Sequence, residues 1–306
     1  MAGYKLATYQ KTDGPRAGII TGGTVFDATE LTGKSSYASV LAILEDWPRS
    51  SDVIQTSLAR KPTAGAWPLA ETHLRAPVLW PGAIYCAGAN YRDHAIEMAK
   101  RMNRPLDRDP KESGGKPWHF LKTPRAIADP GQTVAASHYS AKLDWEVELA
   151  AIIGRAAKGV SVEKALDYVA GYTAANDLSA RDMSRRTTAD EKSPFHWDWT
   201  GQKCFDGSCP LGPWIVPASD IPDPQNLALR LWVNDVPKQD SNTSEMIFSL
   251  AEQIAHLSKG MTLYPGDVIL TGTPAGVGTG RGEFLKAGDV VKIEIERIGT
   301  LTNKIV

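Results

Sequence analysis

The feature that most constrains the fold of this chain is an apolar run, residues 144–154, that carries acidic side chains. The run reads DWEVELAAIIG, and an apolar run closed by glycine is typical of a buried or half-buried strand. Because side chains alternate between the two faces of a strand, Asp144, Glu146 and Glu148 share one face. Either that face is exposed to water, or a divalent cation lies between the two glutamates and relieves their repulsion.

The composition of the chain argues against several classes of protein. Its 306 residues suffice for one large domain with a smaller one attached, and 34 basic residues nearly balance 35 acidic ones. This balance predicts no binding to nucleic acid or to a membrane. The N-terminus lacks the pattern of a signal peptide, and no apolar run reaches the length of a membrane span. We therefore expect a cytoplasmic protein whose three cysteines, Cys86, Cys204 and Cys209, are reduced thiols, because they form no zinc-type cluster.

The first 78 residues have the pattern of a small α/β domain. Residues 4–10 and 17–29 predict strands, and the second segment includes a hairpin that turns at Gly22 and Gly23, where a positive φ is least costly. Residues 37–47 place apolar side chains at helical spacing and predict one or two short helices. We expect a domain boundary near residue 78, with a larger domain over residues 79–306.

The larger domain is rich in short strands. Strands outnumber helices there, which predicts an α+β fold with a mainly antiparallel or mixed core. Residues 100–117 are dense in charge, proline and glycine, and they predict a mobile surface loop that is either simply exposed or part of an active-site lid. The predicted strands read DWEVELAAIIG, CPLGPWIVP, LALRLWVND, DVILTGTP and DVVKIEIE, and the predicted helices read SVEKALDYV and SEMIFSLAEQIAHLSKG.

A third carboxylate supports the cation interpretation of the acidic run. Asp177 lies downstream of Glu146 and Glu148, with room for a helix between the two segments. Three carboxylates from two segments offer a hard cation a set of oxygen ligands and leave positions for water and substrate. No histidine or cysteine stands at ligand spacing beside them, so the pattern favours magnesium or manganese over zinc. An acidic pair with a distant aspartate is nevertheless common by chance.

A histidine and a glutamate form a second candidate group. A helix that begins near Tyr91 would bring His94 and Glu97 onto one face at the i, i+3 spacing. A carboxylate that orients an imidazole is the usual construction of a general base, although an isolated pair of this kind is more often a surface ion pair. Because the pair directly precedes the charged loop, we interpret residues 91–117 as one lid segment.

A glycine-rich stretch, residues 271–282, is the third candidate. It reads TGTPAGVGTGRG, and no helix and no Lys-Ser/Thr pair is expected after it, so we reject dinucleotide-binding and phosphate-loop interpretations. Its backbone N–H groups, with Thr271 and Thr273, suit an anion or an oxyanion. Lys203 is a lone lysine before a predicted strand and by itself would be interpreted as a surface residue.

In this order, five segments from about residue 80 to the C-terminus resemble the fumarylacetoacetate hydrolase superfamily. Each segment alone is a weak signal, whereas five in the same order are specific. The resemblance implies mixed, rolled β-sheets that enclose the site, a small N-terminal domain and a homodimer. The segments are GANYRDHAIE, DWEVELAAIIG, GYTAANDLSARD, QKCFDGSCPLGPW and LTGTPAGVG.

The resemblance also implies roles for particular residues. A magnesium or manganese ion would polarise the substrate and stabilise the enolate that leaves when a C–C bond of an acylpyruvate-like 1,3-diketo acid, such as fumarylpyruvate, is hydrolysed. The remaining groups would activate water and bind the small keto-acid substrate. The metal ligands correspond to Glu146, Glu148 and Asp177, the lid dyad to His94 and Glu97, the substrate-binding lysine to Lys203, the motif arginine to Arg181 and the threonine of the glycine turn to Thr273.

One position departs from the pattern of the hydrolases in this family. Those members tend to have glutamine three residues after the motif arginine, where it orients the attacking water, and Ser184 stands there in this chain. Related scaffolds decarboxylate oxaloacetate, isomerise unsaturated keto diacids or act as lyases, so these reactions stay as alternatives. Two more distant alternatives are a catalytically silent protein that binds a metal or a keto acid, and an interaction protein with structural carboxylates. The intact pair of His94 and Glu97 argues against a silent binder.

Overall fold

The computed structural model describes residues 3–62, 65–106, 108–136 and 138–306. Within these residues the chain forms a twelve-stranded sheet, a five-stranded sheet and a two-stranded pair, joined by short helices and turns. Most neighbouring strands are antiparallel and a few are parallel, which confirms the predicted α+β class with mixed sheets. None of the described helices is long and apolar enough to span a lipid bilayer.

The N-terminal segment folds as predicted into a small sheet covered by short helices. Gly22 and Gly23 have φ values of +54° and +78°, so the predicted hairpin turn is confirmed. Its strands are β1 (Lys5–Lys11), β2 (Gly14–Thr21), β3 (Thr24–Asp27), β4 (Ala66–Pro68) and β5 (Leu74–Arg75), and its helices are α1 (Ala28–Thr32), α2 (Val40–Glu45) and α3 (Trp47–Ala59).

The rest of the described chain contains the strands that surround the site. They are β6 (Ile84–Ala87), β7 (His119–Lys122), β8 (Ile127–Ala128), β9 (Thr133–Val134), β10 (Leu143–Asp144), β11 (Val147–Ile153), β12 (Val169–Asn176), β13 (Ser179–Ala180), β14 (Cys209–Pro217), β15 (Ala228–Val233), β16 (Val236–Asn242), β17 (Val268–Leu270), β18 (Val290–Ile295) and β19 (Gly299–Ile305). The helices are α4 (Arg92–Arg101), α5 (Trp199–Lys203), α6 (Leu250–Gly260) and α7 (Gly278–Arg281).

The twelve-stranded sheet joins the N-terminal strands to the body of the protein. Its main path runs β4-β3-β2-β1-β14-β12-β11-β17-β6-β7, while β5 pairs with β1 and β8 with β14. The junction is the pairing of β1 with β14, where Leu6 lies opposite Ile215. The N-terminal strands therefore extend the central sheet, and the boundary near residue 78 stays a prediction.

The acidic run lies in the middle of this sheet and is buried on both faces. All seven residues of β11 are buried, because the five-stranded sheet β16-β15-β18-β19-β9 contributes side chains such as Leu229 and Ile293 to the same core. Glu146 is only 6% exposed and Glu148 only 1% exposed, so the interpretation of a water-exposed face is wrong. The strand is also interrupted at Trp145 and Glu146, which lie between β10 and β11.

Three predictions about helices need correction. The helix predicted over 161–169 is a 3-10 helix, Val162–Tyr168, and the one predicted over 244–260 has its α-helical part only from Leu250. Ser249 and Glu252 form a capping box that sets this start. The short helix α7 lies within the glycine-rich stretch, where no helix was predicted; its first N–H groups donate to the Asp144 carboxylate, which stabilises a helix N-terminus.

Gly171 on β12 permits a close approach to β14. A Cβ atom at this position would lie 2.3 Å from the carbonyl oxygen of Val216. Because that obstacle is backbone in the central sheet, we expect Gly171→Ala to lower the free energy of unfolding by about 1–3 kcal/mol. Urea denaturation followed by circular dichroism measures the change. Gly260→Ala is the control, because a Cβ there meets nothing within 4 Å, and an equal loss in both variants would contradict the explanation.

Candidate active site

Three buried carboxylates converge where β11 and β12 lie side by side. Glu148 is on β11, Glu146 directly precedes it, and Asp177 directly follows β12. The pairing of Val147 with Asn176 fixes this register, and the Asp177 N–H donates to the Glu146 carbonyl at 2.9 Å. One carboxylate oxygen from each residue lies within 4.8 Å of the other two. The three predicted metal ligands are thus brought together.

Lys203 lies between two of these carboxylates. Its Nζ donates to Glu146 Oε2 at 2.9 Å and to Asp177 Oδ2 at 2.6 Å. The side chain is almost fully buried at the end of α5, so the surface position expected from the sequence alone is wrong. Burial by itself would lower the pKa of Lys203, but the charges of Asp177 and Glu146 outweigh it and raise the pKa above its usual value. The amine therefore stays protonated.

The pKa values of the two glutamates diverge. Burial would raise the pKa of Glu146, but Lys203 and Arg181 outweigh burial and lower it to about 2. Burial raises the pKa of Glu148 well above its usual value, and the charges of Asp177 and Glu146 raise it further. The N–H of Gly272 donates to Glu148 Oε2 at 2.6 Å, which offsets only part of this cost. The Glu148 carboxyl therefore favours its protonated form unless a further positive charge lies beside it.

A second buried lysine, Lys122 on β7, supports the cluster from behind. Its Nζ donates to the carbonyl oxygens of Leu178, Lys203 and Ser208, which uses all three of its N–H groups. Nζ also lies 2.9 Å from Asp177 Oδ1, but no hydrogen bond from the described part of the chain reaches that buried oxygen. The contact is therefore purely one of charge, and it leaves Oδ1 able to bind a ligand.

These observations fit a divalent cation. The donor set consists of carboxylate oxygens only. Magnesium and manganese prefer such oxygen ligands, whereas zinc sites usually include histidine or cysteine. The Asp177 oxygen without a hydrogen bond is able to bind a cation, and a further positive charge would stabilise the charged form of Glu148, whose pKa is raised. Glu146, Glu148 and Asp177 are the residues that would hold the ion.

Arg181 connects the cluster to a fourth carboxylate, Asp144. Its Nε donates to Asp144 Oδ2 at 2.8 Å and its Nη2 donates to Glu146 Oε1. Asp144 is fully buried and also accepts the N–H groups of Gly278 and Thr279 at 2.6 and 3.0 Å. The sequence placed Asp144 on the acidic face but gave it no role, although an aspartate two residues before a predicted metal ligand could have suggested one.

The predicted dyad is present on α4. His94 Nδ1 lies 3.5 Å from Glu97 Oε2, which is long for a hydrogen bond, as catalytic pairs often are before substrate binds. Both carboxylate oxygens of Glu97 accept the N–H of Gly276 at 3.0 Å. Burial would raise the pKa of Glu97, but the contacts with His94 and Gly276 outweigh it, so the pKa is lowered and the carboxylate is charged at neutral pH. The glycine-rich stretch thus holds the dyad.

Thr273 is engaged in two hydrogen bonds of the protein. Its hydroxyl donates to the Val147 carbonyl at 2.9 Å and accepts from Gln239 Nε2 at 2.9 Å. The single hydroxyl hydrogen is therefore already used, so Thr273 offers a ligand an oxygen rather than a donated hydrogen bond. Its role in substrate binding stays a prediction.

A cavity of about 560 Å³ opens onto these groups. It is lined by five of the predicted site residues together with Gln202, which precedes Lys203 on α5 and was not predicted. Glu148 and Asp177 lie deeper, and Glu97 borders a separate cleft on the outer side of α4. The five predicted residues in the cavity are His94, Glu146, Arg181, Lys203 and Thr273.

Ser184 is not among the described residues that line this cavity. Its hydroxyl donates to the carbonyl oxygen of Arg181 at 2.8 Å, within its own turn. Hydrolases of this kind are expected to orient water from this position. The Ser184 side chain therefore does not take that part in the site. Cys86, Cys204 and Cys209 are free in the structure, and their reduced state stays a prediction.

Comparison with known families identifies the chain. A model of the fumarylacetoacetate hydrolase C-terminal family matches residues 83–306. The chain belongs to the fumarylacetoacetate hydrolase family. This confirms the predicted resemblance, and the matched region contains every residue of the candidate site.

Curated relatives in the fumarylacetoacetate hydrolase family have similar sequences. A human mitochondrial oxaloacetate tautomerase is 42% identical over 255 residues, which cover 82% of this chain and 76% of the relative. An oxaloacetate tautomerase of Bacillus subtilis is 41% identical over 241 residues, which cover 78% of this chain and 74% of the relative. These relatives indicate that this chain is an enzyme of the family.

Solved structures of the family cover nearly the whole chain. Maleylpyruvate hydrolase from Sphingobium sp. SYK-6, in complex with manganese(II) and pyruvate, has a TM-score of 0.74 and 30% identity over 99% of this chain and 98% of that one. The 2-hydroxyhepta-2,4-diene-1,7-dioate isomerase of Mycobacterium marinum has a TM-score of 0.71 and 34% identity over the same shares of the two chains. The scaffold thus accommodates both hydrolysis and isomerisation.

Removing one ligand of the acidic cluster tests whether it binds a metal ion. We expect Mn²⁺ or Mg²⁺ to stabilise the chelator-treated protein by about 2.7 kcal/mol at 100 times the dissociation constant, and Glu148→Gln to abolish this gain. Thermal denaturation with and without the ion measures the effect. Glu163→Gln, at an exposed glutamate, is the matched control. An unchanged melting temperature of the unaltered protein would favour purely structural carboxylates.

Lys122 offers a test of the support behind the cluster. Lys122→Met keeps the length of the side chain but leaves three carbonyl oxygens and Asp177 without their cation. We expect a loss of about 3–5 kcal/mol in the free energy of unfolding, as when one partner of a buried ion pair is removed. Urea denaturation measures it. Lys158→Met, at an exposed lysine that also donates to a carbonyl, should change stability little, and a similarly small effect at Lys122 would contradict this account.

Proposed function

We propose that this protein is a divalent-metal-dependent enzyme that interconverts the keto and enol forms of a 2-keto diacid of the oxaloacetate type. The observation that carries the proposal is the arrangement of one cavity. His94 lines it together with the protonated Lys203 and with Glu146 of the acidic cluster. A proton acceptor, a fixed positive charge and a cation site are the groups that enolisation beside a carbonyl requires.

The acidic cluster would hold the metal ion of the proposed reaction. A divalent cation held by Glu146, Glu148 and Asp177 would supply the positive charge that polarises a keto oxygen and stabilises enolate charge. Manganese in the maleylpyruvate hydrolase complex supports such an ion in this family, and the oxygen donors accept magnesium equally. All other functions in the proposal belong to side chains of this chain.

His94 is the proton acceptor in this proposal. Lys203 cannot accept a proton at neutral pH, because Asp177 and Glu146 raise its pKa and keep it charged. With Nδ1 of His94 turned toward the charged Glu97, Nε2 remains as the atom that takes a proton from the carbon beside the keto group. Nε2 then returns this proton to the enolate oxygen, which gives the enol, and the reverse steps restore the keto form.

Lys203 and Arg181 bind the substrate in this proposal. The Lys203 ammonium lies at the cavity surface of the cluster, where it can donate to a carboxylate or enolate oxygen of the substrate. Arg181 is held by Asp144 and Glu146, which fixes the orientation of its guanidinium at the cavity wall. Both cations therefore lie beside the space in which an anionic substrate would be bound.

Hydrolysis of an acylpyruvate is the second candidate function. The hydrolase neighbour with bound pyruvate supports it, and so does Gln202, whose amide borders the cavity beside Lys203 and could orient water. Against it stands Ser184, whose hydroxyl is bonded to the Arg181 carbonyl. Decarboxylation of oxaloacetate needs no proton acceptor at His94, so the dyad distinguishes it from tautomerisation. The homodimer and the cytoplasmic location stay predictions.

Replacing the proton acceptor tests the proposed reaction. We expect His94→Asn to lower kcat for enol-to-keto conversion of oxaloacetate at least about hundredfold, the usual contribution of a general base, while metal-dependent stabilisation is retained. The decay of the ultraviolet absorbance of the enol, with Mg²⁺ or Mn²⁺ present, measures the rate. His73→Asn, at an exposed histidine, is the matched control.

The same samples separate the alternatives. Pyruvate release from acetylpyruvate or fumarylpyruvate, lost in Gln202→Leu, would favour hydrolysis. Pyruvate release from oxaloacetate that survives His94→Asn would favour decarboxylation. No acceleration of the enol decay by the unaltered protein with metal would refute the tautomerase proposal.

A further inference from the structure

The outer part of the cavity has an aromatic wall formed by Trp118, Phe120 and Trp199. The rings of Trp118 and Trp199 meet edge to face with centroids 5.0 Å apart, and Phe120 stacks on Trp199 at 5.8 Å. Phe120 is on β7, Trp118 directly precedes this strand, and Trp199 is the first residue of α5. Two elements that are far apart in sequence thus build one continuous aromatic surface.

The tryptophan side chains of this wall are exposed to solvent to an unusual degree for large apolar residues. Trp118 is 47% exposed and Trp199 is 41% exposed, although both lie beside buried charges. Across the cavity, Ile96, Met102 and Leu106 of the lid segment are exposed to a similar degree. Apolar surface gains about 25 cal/mol per Å² when a ligand removes it from water, and exposed patches of this kind commonly mark binding sites.

The position of the wall is fixed by the backbone. Trp118 lies on Gly88, where a Cβ atom would be only 1.7 Å from the indole ring, and the Gly88 N–H donates to the Trp118 carbonyl at 3.0 Å. At its inner end, Phe120 lies below the ammonium of Lys203, with Nζ 4.9 Å from the ring centroid. The wall therefore begins where the proposed keto-acid end of a substrate would be bound.

The size of the outer cavity and its largely apolar lining argue for an apolar substituent. A volume of about 560 Å³ is typical of sites for ligands much larger than a four-carbon diacid. Among the basic residues near the rim, Arg92 already donates to the Met246 carbonyl at 2.9 Å and lies 3.6 Å from the Asp109 carboxylate. Arg104 and Arg108 also line the cavity, so a second carboxylate is the alternative that an experiment must exclude.

We infer that the site accepts 2,4-diketo acids with a flat aromatic acyl group, with the keto-acid end at the acidic cluster and the ring against Trp118 and Trp199. This inference rests on the proposed function for the inner end of the cavity. Offset or edge-to-face contact with two indoles adds attraction beyond simple burial. Trp118 and Trp199 are then the residues that determine specificity.

Calorimetric titration of the manganese-loaded protein with benzoylpyruvate and with acetylpyruvate tests the inference. We expect benzoylpyruvate to bind at least about tenfold more tightly, and Trp118→Ala and Trp199→Ala each to reduce that ratio by up to about tenfold. The ratio is the readout, because a general loss of folding would affect both ligands. Trp80→Ala is the control, since Trp80 is 61% exposed outside the cavity. It should leave the ratio unchanged.

Two results would overturn the inference. One is equal affinity for the two ligands, or a ratio that neither cavity variant changes. The other is fumarylpyruvate binding more tightly than benzoylpyruvate, which would assign the outer end to a second carboxylate. The rate of enol decay of oxaloacetate, measured on the same protein, distinguishes a failure of the proposed function from a failure of the aromatic specificity. Tight benzoylpyruvate binding without tautomerase activity would refute only the proposed function, and the converse would refute only the aromatic specificity.

Discussion

The buried contact of Lys203 with Glu146 and Asp177 is the interaction on which the rest of the structure depends. A carboxylate transferred from water into a protein core costs several kcal/mol unless an opposite charge lies beside it. The two acidic strands can therefore occupy the middle of the sheet only if cations reach them from elsewhere. Lys122 lies on β7 and Lys203 at the end of α5. The contacts that allow the carboxylates to be buried in the sheet are therefore the same contacts that build the site.

The sequence predicted the acidic half of this arrangement, the resemblance to the family supplied Lys203 and Arg181 as substrate-binding residues, and Lys122 was missed. Glu146, Glu148 and Asp177 were recognisable because charge inside apolar runs is unusual and because the segments fit a known family. Lys122 and Lys203 stand in ordinary polar contexts, and only long-range pairing of strands shows that they are buried. The fold class and the hairpin at Gly22-Gly23 were predictable from local patterns. The continuity of the sheet and the one-turn helix α7 were not, because both depend on contacts distant in sequence.

Related enzymes of this family differ in what they do with the same charged centre. Enolisation, hydrolysis and decarboxylation all require stabilised negative charge on a carbonyl oxygen, and they differ in whether a proton acceptor or a water molecule is also held in place. In this chain the carboxylate beside the proposed acceptor is held firmly, because the Gly276 N–H donates to both oxygens of Glu97. Ser184 is turned toward its own backbone. The balance of these two features, more than the acidic cluster, distinguishes the possible reactions.

The pairing of β1 with β14 has a consequence for how the family region is delimited. The match to the family begins at residue 83, yet Leu6 hydrogen-bonds into the sheet beside Ile215, well inside the matched part. A protein cut at the start of the match would present the edge of β14, with its unpaired backbone groups and apolar side chains, directly to solvent. Such an edge readily pairs with other chains. The N-terminal strands therefore cover this edge of the central sheet, and a chain that lacked them would expose an edge prone to aggregation.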